Sequence, residues 1–553
     1  MYALANLQDS SQEGGYAVRH SKTAITDFGQ NATRNPLAAA FPVLFPYGVG
    51  SIEAERKVKL SLREHAQWAL QYYDRRFAKH HSFPFVLFAL VQKHEAMYSA
   101  RLQMRRQEFE RDNLAMASIT VADLREAEAE ERRKEPITNA HVRALRRHVT
   151  AANGRVVGSD SACARYRGMI WGTCLLLRGP SLWLTINPAD IHDPIAQIFV
   201  GEDIDMDKFN SQLGPDSSHR AENIASNPYA AAEYFHFVVN TTLESLFGIS
   251  KRGPRTNSEK GILGHLTGYF GVVEAQGRGS LHVHMLLWLS NAPNVMEMHA
   301  KLQEESFREQ IRTYIKANVR AHLDDLGEHD IKSMTRNSEL AYSQPPDPCQ
   351  PNWAVKTHQL ERQLARSQQV HTCSVGTCLR KVNGQMKCKR KAPWPLSNED
   401  YVDNRGNWGP KRTYSYINGY CPLLLTTMRC NNDLKINMNG ADTKDVAFYI
   451  TAYAMKKQKK THNLSALMAS AMPYHTANPR YEDIRERNRL LLYRCINMIN
   501  RETELSGPQV ASYLMGYGDT FTSHNYAPLY TTSFFSAVRQ KLMNALHSHE
   551  NMR

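Results

Sequence analysis

The sequence predicts an α+β fold built around an antiparallel sheet. Two alternating apolar runs, "GYFGVVEAQ" (268–276) and "SLHVHMLLWL" (280–289), are joined only by a glycine-rich turn, which is a hairpin signal. A third strand pattern, "PSLWLTINP" (180–188), stops at Asn187-Pro188. Long helical patterns fill most of the intervals around these strands.

The elements follow in chain order. "NPLAAAFPVLFPYGVG" (35–50) has three prolines and two glycines among large apolar residues, so it reads as an ordered, packed loop. A helical pattern runs from Ser61 to about Glu110 and is interrupted at Pro84. Residues 121–135, "VADLREAEAEERRKE", form a charged helix expected to present a solvated face. "NPYAAAEYFHFVVNTTLESLFG" (227–248) is a helix that Asn227 can cap, Pro228 can begin and Gly248 can end. Residues 296–326 are helical. Residues 336–420 read as irregular and are rich in Pro, Cys and basic residues. A helix follows at about 443–457, then others at 481–502 and 508–516. No internal repeat is found.

These patterns divide the chain into five expected regions. Residues 1–160 form a mostly helical accessory region, 161–335 the core with the hairpin, and 336–420 a Cys- and base-rich insertion. Residues 421–475 return to the core, and 476–553 form a helical C-terminal region.

The chain has 553 residues, 42% of them hydrophobic, enough for two to four domains with real cores. It has no run of 18 apolar residues and no basic-then-apolar start, so a soluble, intracellular protein without a membrane segment is expected. The formal charge of +14 and a pI near 9.2 suit a polyanionic partner, most simply nucleic acid. Nine cysteines, an odd number, favour metal binding or burial over a disulfide framework.

Strand side chains alternate. Leu281, Val283, Met285, Leu287 and Leu289 would face the core, with His282, His284, Leu286 and Trp288 on the other face. Imidazoles two apart on a strand lie roughly 7 Å apart at Cα, close enough to grip one metal ion. The hairpin partner offers Glu274 or Gln276 as an oxygen ligand. Such a set, with positions left for phosphate and water, suits Mg²⁺ or Mn²⁺. Two polar residues on a solvated sheet face would give the same pattern.

"DVAFYITAYAMKKQKK" (445–460) places Tyr449, Tyr453 and Lys456 on one helical face, as two core tyrosines at helical spacing also would be. Together with the histidines they suggest phosphoryl transfer. A held metal polarises a scissile phosphate, a tyrosine attacks it to form a covalent phosphotyrosine, and Lys456 steadies the charge. A second tyrosine allows a second transfer. "VHTCSVGTCLRKVNGQMKCKRK" (370–391) offers His371, Cys373, Cys378 and Cys388, four soft ligands suited to a structural Zn²⁺, with Cys349 as a substitute for His371. Unligated thiols in a loop are the alternative. Arg380, Lys381, Lys387, Lys389, Arg390 and Lys391 crowd the same segment without an acid, a candidate phosphate-contact surface. Arg278, in the hairpin turn, is another candidate DNA contact.

The chain resembles the HUH-type nuclease of Helitron rolling-circle transposases, the region termed the Helitron helicase-like domain. The resemblance rests on "FPVLFPYG" (41–48), "LTINPADIHDP" (184–194), "GYFGVVEAQGRGSLHVHMLLWL" (268–289), "RCNNDLKINMNG" (429–440), "YITAYAMK" (449–456) and "SYLMGYGDTFTSHNYAPLY" (512–530). It implies an HUH-nuclease core, a central antiparallel sheet flanked by helices with helical accessory regions on either side. It implies metal ligands at His282 and His284, nucleophiles at Tyr449 and Tyr453, and a functional Lys456. Glu274 and Gln276 both fit the third ligand. "LTINP" resembles the first motif of rolling-circle nucleases, which puts Thr185 and Asn187 near the DNA. The implied activity is metal-dependent cleavage and transfer of single-stranded DNA, the transposon ends and target, through a 5′-phosphotyrosine, in the nucleus. Helitron proteins usually carry a helicase after this region. No Gly-x₄-Gly-Lys-Ser/Thr loop occurs here, so a helicase would come from another domain or protein, and no ATPase activity is expected. The rival readings are a degenerate single-stranded DNA-binding domain, a rolling-circle replication initiator, and a zinc-stabilised nucleic-acid-binding protein with structural histidines.

Overall fold

The computed structural model describes residues 36–54, 56–253, 255–276, 279–324, 326–438, 463–478, 480–527, 534–535 and 537–542. Tyr449, Tyr453, Lys456 and Arg278 lie outside them, as does the helix expected at 443–457.

The fold is α+β. Its strands in chain order are β1 (Leu182–Asn187), β2 (Ile249–Arg252), β3 (Arg255–Ser258), β4 (Lys260–Gly261), β5 (Gly264–Ala275), β6 (Leu281–Leu289), β7 (Leu379–Val382), β8 (Gln385–Cys388), β9 (Tyr401–Val402), β10 (Trp408–Gly409), β11 (Asn431–Ile436) and β12 (Thr520–Thr522). The main sheet runs β11-β1-β6-β5-β12, with β4 also on β5, and every pairing is antiparallel. The expected hairpin is its centre, β5 beginning four residues before the sequence pattern suggested.

Both faces of this sheet are covered. Leu184, Val283, Met285 and Leu287 pack with Phe235 and Val239 of the helix Pro228–Thr241. On the face that carries the histidines, Trp183, Phe270, Leu286 and Trp288 pack against Tyr166 and Ile170 of the helix Asp160–Leu177. That helix, capped by Ser159, explains why nearly all of β6 is buried instead of alternating between core and solvent.

The other helices before β1 form two further cores together with C-terminal helices. The helical stretch expected from Ser61 to Glu110 with one break is four helices, Leu62–Leu70, Arg76–Lys79, Phe83–Met104 and Gln107–Ala117, and Pro84 lies in the first turn of the third, where its missing N–H costs nothing. The charged helix Val121–Arg133 starts at a capping box: Thr120 Oγ1 accepts from Asp123 N at 3.2 Å, and Asp123 Oδ2 accepts from Thr120 N at 2.8 Å. Its face is not wholly solvated. Leu124 and Ala127 pack with Met468 and Met472 of the helix Leu464–Ala477. Residues 36–50 are packed, with Leu37, Leu44 and Phe45 in one core with Phe83 and Leu514, but the segment expected as a loop opens with a short helix, Pro36–Ala40.

Three further expectations need correction. The helix from Asn227 ends at Thr241 and gives way to one π turn, Thr242–Leu246, before Gly248 at φ 65°. Residues 296–326 hold two helices, Val295–Lys301 and Glu305–Asn318, and residues 319–324 are not helical. Residues 336–420 are more ordered than composition implied. They hold the helix Trp353–Leu364 and the β7–β8 hairpin, whose Asn383-Gly384 turn has both φ angles positive, 50° and 81°.

Candidate metal centre

In β5–β6, Glu274 stands opposite His282 and Val272 opposite His284. Directly opposed residues share a face, so the register alone delivers Glu274 to the histidines. The two Nε2 atoms are 3.1 Å apart, and Glu274 Oε2 is 3.6 Å from each. Donors bound about 2.1 Å from one cation stand about 3.0 Å apart at right angles and about 3.4 Å apart in a tetrahedron. The three atoms therefore fit a single small divalent ion.

Both histidines are 7% exposed. Glu274 is half-buried and Gln276 is exposed, so the group opens to solvent toward the hairpin turn. Burial lowers the His284 pKa, with the nearby His282 adding to the shift, while Glu274 and Asp433 pull it upward. The net direction favours the neutral imidazole, the form that ligates metal. Asp433 sits opposite Thr185 on β11 and pairs with Lys435 at 3.2 Å.

Thr185 Oγ1 is 2.9 Å from His284 Nδ1, and Thr185 is opposite His284 in the β1–β6 register. It is buried against the imidazole. The Trp183 ring lies 5.4 Å from that of His284. Asn187 Nδ2 donates to Asn431 Oδ1 at 2.8 Å, and Asn187 Oδ1 accepts from Gln276 Nε2 at 2.7 Å. Of the two candidate oxygen ligands, Glu274 thus reaches the histidines while Gln276 is turned to Asn187.

Sequence reasoning missed the support that Thr185 gives His284, and it missed Asp433. Both depend on the order β11-β1-β6. The sole advance signal was the period-2 pattern of "LTIN", which puts Thr185 and Asn187 on one face.

A second group also converges. Ligand atoms of His371, Cys373, Cys378 and Cys388 all lie within 4.8 Å of one another, and His371 Nε2 is 3.3 Å from Cys388 Sγ. Cys349 is exposed and is not among them. Arg380, Lys381, Lys389 and Arg390 are exposed on or beside the β7–β8 hairpin.

Residues 65–287 match the family model of the Helitron helicase-like domain at the N-terminus of such proteins. Over these residues the chain is similar to that domain of Helitron proteins. The match covers about two fifths of the chain and includes Glu274, His282 and His284, while the cysteine cluster and the tyrosines lie beyond it. No curated protein matches the chain. The domain implies interaction with DNA. Among the described residues, no helix is long and apolar enough to cross a membrane.

Proposed function

We propose that this Helitron-related chain is a metal-dependent single-strand DNA endonuclease and strand transferase with an HUH-type core. The observation that carries this reading is the convergence of Glu274 Oε2 with the Nε2 atoms of His282 and His284. Those three residues would hold Mg²⁺ or Mn²⁺, which when bound supplies Lewis-acid polarisation of a phosphate. Thr185 holds the His284 ring in its ligating orientation.

The nucleophiles are assigned from sequence spacing to Tyr449 and Tyr453. A phenol oxygen attacks phosphorus, and the bond from phosphorus to the 3′ oxygen breaks. The phenol loses its proton to solvent and the departing oxygen gains one. The products are a 5′-phosphotyrosine and a free 3′-hydroxyl, with the phosphodiester energy retained. Lys456 steadies the charge on the phosphoryl oxygens. The second tyrosine then accepts or transfers a second end. The DNA strands are the ends and target of a mobile element, handled in the nucleus, with unwinding supplied by another domain or protein.

The test is cleavage of end-labelled single strands with and without Mn²⁺, followed by denaturing electrophoresis for a protein–DNA adduct. Full cleavage in excess EDTA would overturn the reading.

A further inference from the structure

The β7–β8 hairpin raises a question of stability. Arg380, Lys381, Val382, Gln385, Met386 and Lys387 are all exposed, so neither strand buries an apolar face. A two-stranded hairpin without a packed face is marginal in water. The Asn383-Gly384 turn favours the bend but supplies no core.

What does meet at the hairpin's base is the set of four ligand atoms. His371 is anchored by its backbone N–H to Tyr416 O at 2.8 Å. Cys373 follows it, Cys378 precedes β7, and Cys388 ends β8. Cys378 O accepts from Lys389 N at 2.7 Å, closing the base of the hairpin. The Ser374 backbone N–H points at Cys378 Sγ at 3.3 Å. Four tetrahedral ligands on one zinc stand about 3.8 Å apart when sulfur, and slightly less with a histidine nitrogen. All the atoms here fall within 4.8 Å.

We propose that His371, Cys373, Cys378 and Cys388 bind one structural Zn²⁺, which takes the place of a hydrophobic core and presents the hairpin's cations to a nucleic-acid backbone. Arg380, Lys381 and Lys387 lie on the hairpin, and Lys389, Arg390 and Lys391 follow it. Among the described residues none of the six is in an ion pair with a carboxylate. Six unpaired, exposed cations on a pinned element form a phosphate-binding surface. The inference stands independently of the nuclease reading, because neither metal content nor binding requires cleavage.

The experiment uses the full chain, purified without chelator. Elemental analysis should return about one zinc per chain. Cys378→Ser combined with Cys388→Ser should lose it, and Cys349→Ser should keep it. Should the double variant fail to fold, zinc release from the unaltered chain on mercurial titration of its thiols, read with a colorimetric chelator, answers the same question. Iron with visible absorption, or metal-free chain with freely reacting thiols, would overturn the zinc assignment. The triple variant Arg380→Ala, Lys381→Ala, Lys387→Ala should retain zinc and bind a fluorescent single-stranded oligonucleotide more weakly. Its slope of log affinity against log salt should shrink by about 2, at about 0.7 for each phosphate no longer neutralised. An unchanged slope with zinc retained would overturn the nucleic-acid role.

Discussion

The hydroxyl of Thr185, on β1, lies 2.9 Å from Nδ1 of His284, on the neighbouring strand β6. In the tautomer with a proton on Nδ1, that nitrogen donates to Thr185 and leaves the Nε2 lone pair directed at His282 and Glu274. Thr185→Val keeps the shape and removes the acceptor. The Mn²⁺ concentration for half-maximal cleavage should rise about 10- to 100-fold, with Thr185→Ser restoring it. A titration of cleavage against Mn²⁺ that is identical for all three proteins would refute this positioning role.

The two candidate oxygen ligands separate by mutation. Glu274 reaches both imidazoles, whereas Gln276 is bonded to Asn187. Glu274→Ala, His282→Ala and His284→Ala should each lower Mn²⁺-dependent cleavage by more than about a hundredfold with single-strand binding largely intact. Gln276→Ala should retain most activity. Cleavage rates and binding isotherms on one labelled oligonucleotide check this.

The tyrosines should divide the work. Of Tyr449→Phe and Tyr453→Phe, one should lose nearly all initial cleavage, and the other should cut but fail at strand transfer. The double variant should form no covalent adduct. An adduct that survives denaturant in the double variant moves the nucleophile elsewhere.

Acid should weaken the fold through His236. Burial against Tyr517 and Phe521 takes its pKa from 6.5 to about 4. The folded state therefore disfavours the proton. Its contribution is complete above about pH 6.5 and is lost as pH falls toward 4, at about 3 kcal/mol in all. His236→Phe should remove that part of the acid slope in denaturant unfolding, leaving the part due to His475, which is also lowered to about 4. An unaltered slope would show that His236 does not titrate with unfolding.

Local pattern made the centre of the sheet readable. Alternation and the glycine turn placed β5, β6 and the two histidines, because these features lie within about 25 residues of each other. The edges were not readable. β11 and β12 are six and three residues long and pair with strands far away in the chain, so no local period marks them. The burial of the histidine face came from the helix Asp160–Leu177, whose apolar residues have little helical asymmetry. The β7–β8 hairpin was the avoidable miss. "VNGQ" carries the turn signal, but the surrounding lysines obscured the strands. The choice between Glu274 and Gln276 needed side-chain directions that alternation alone does not supply.

The packing of Val121–Arg133 on Leu464–Ala477 has a consequence for synthesis. Leu124 leaves the ribosome about 340 residues ahead of Met468, an interval of about 20 to 70 s at ordinary elongation rates. Throughout that time the core of Leu124, Ala127, Leu145 and Val149 lacks the part that Met468, Met472 and Leu491 supply, and presents that apolar surface to solvent. Chaperones that shield nascent chains should therefore raise the soluble yield, and they should do so most strongly for fragments that stop before residue 464.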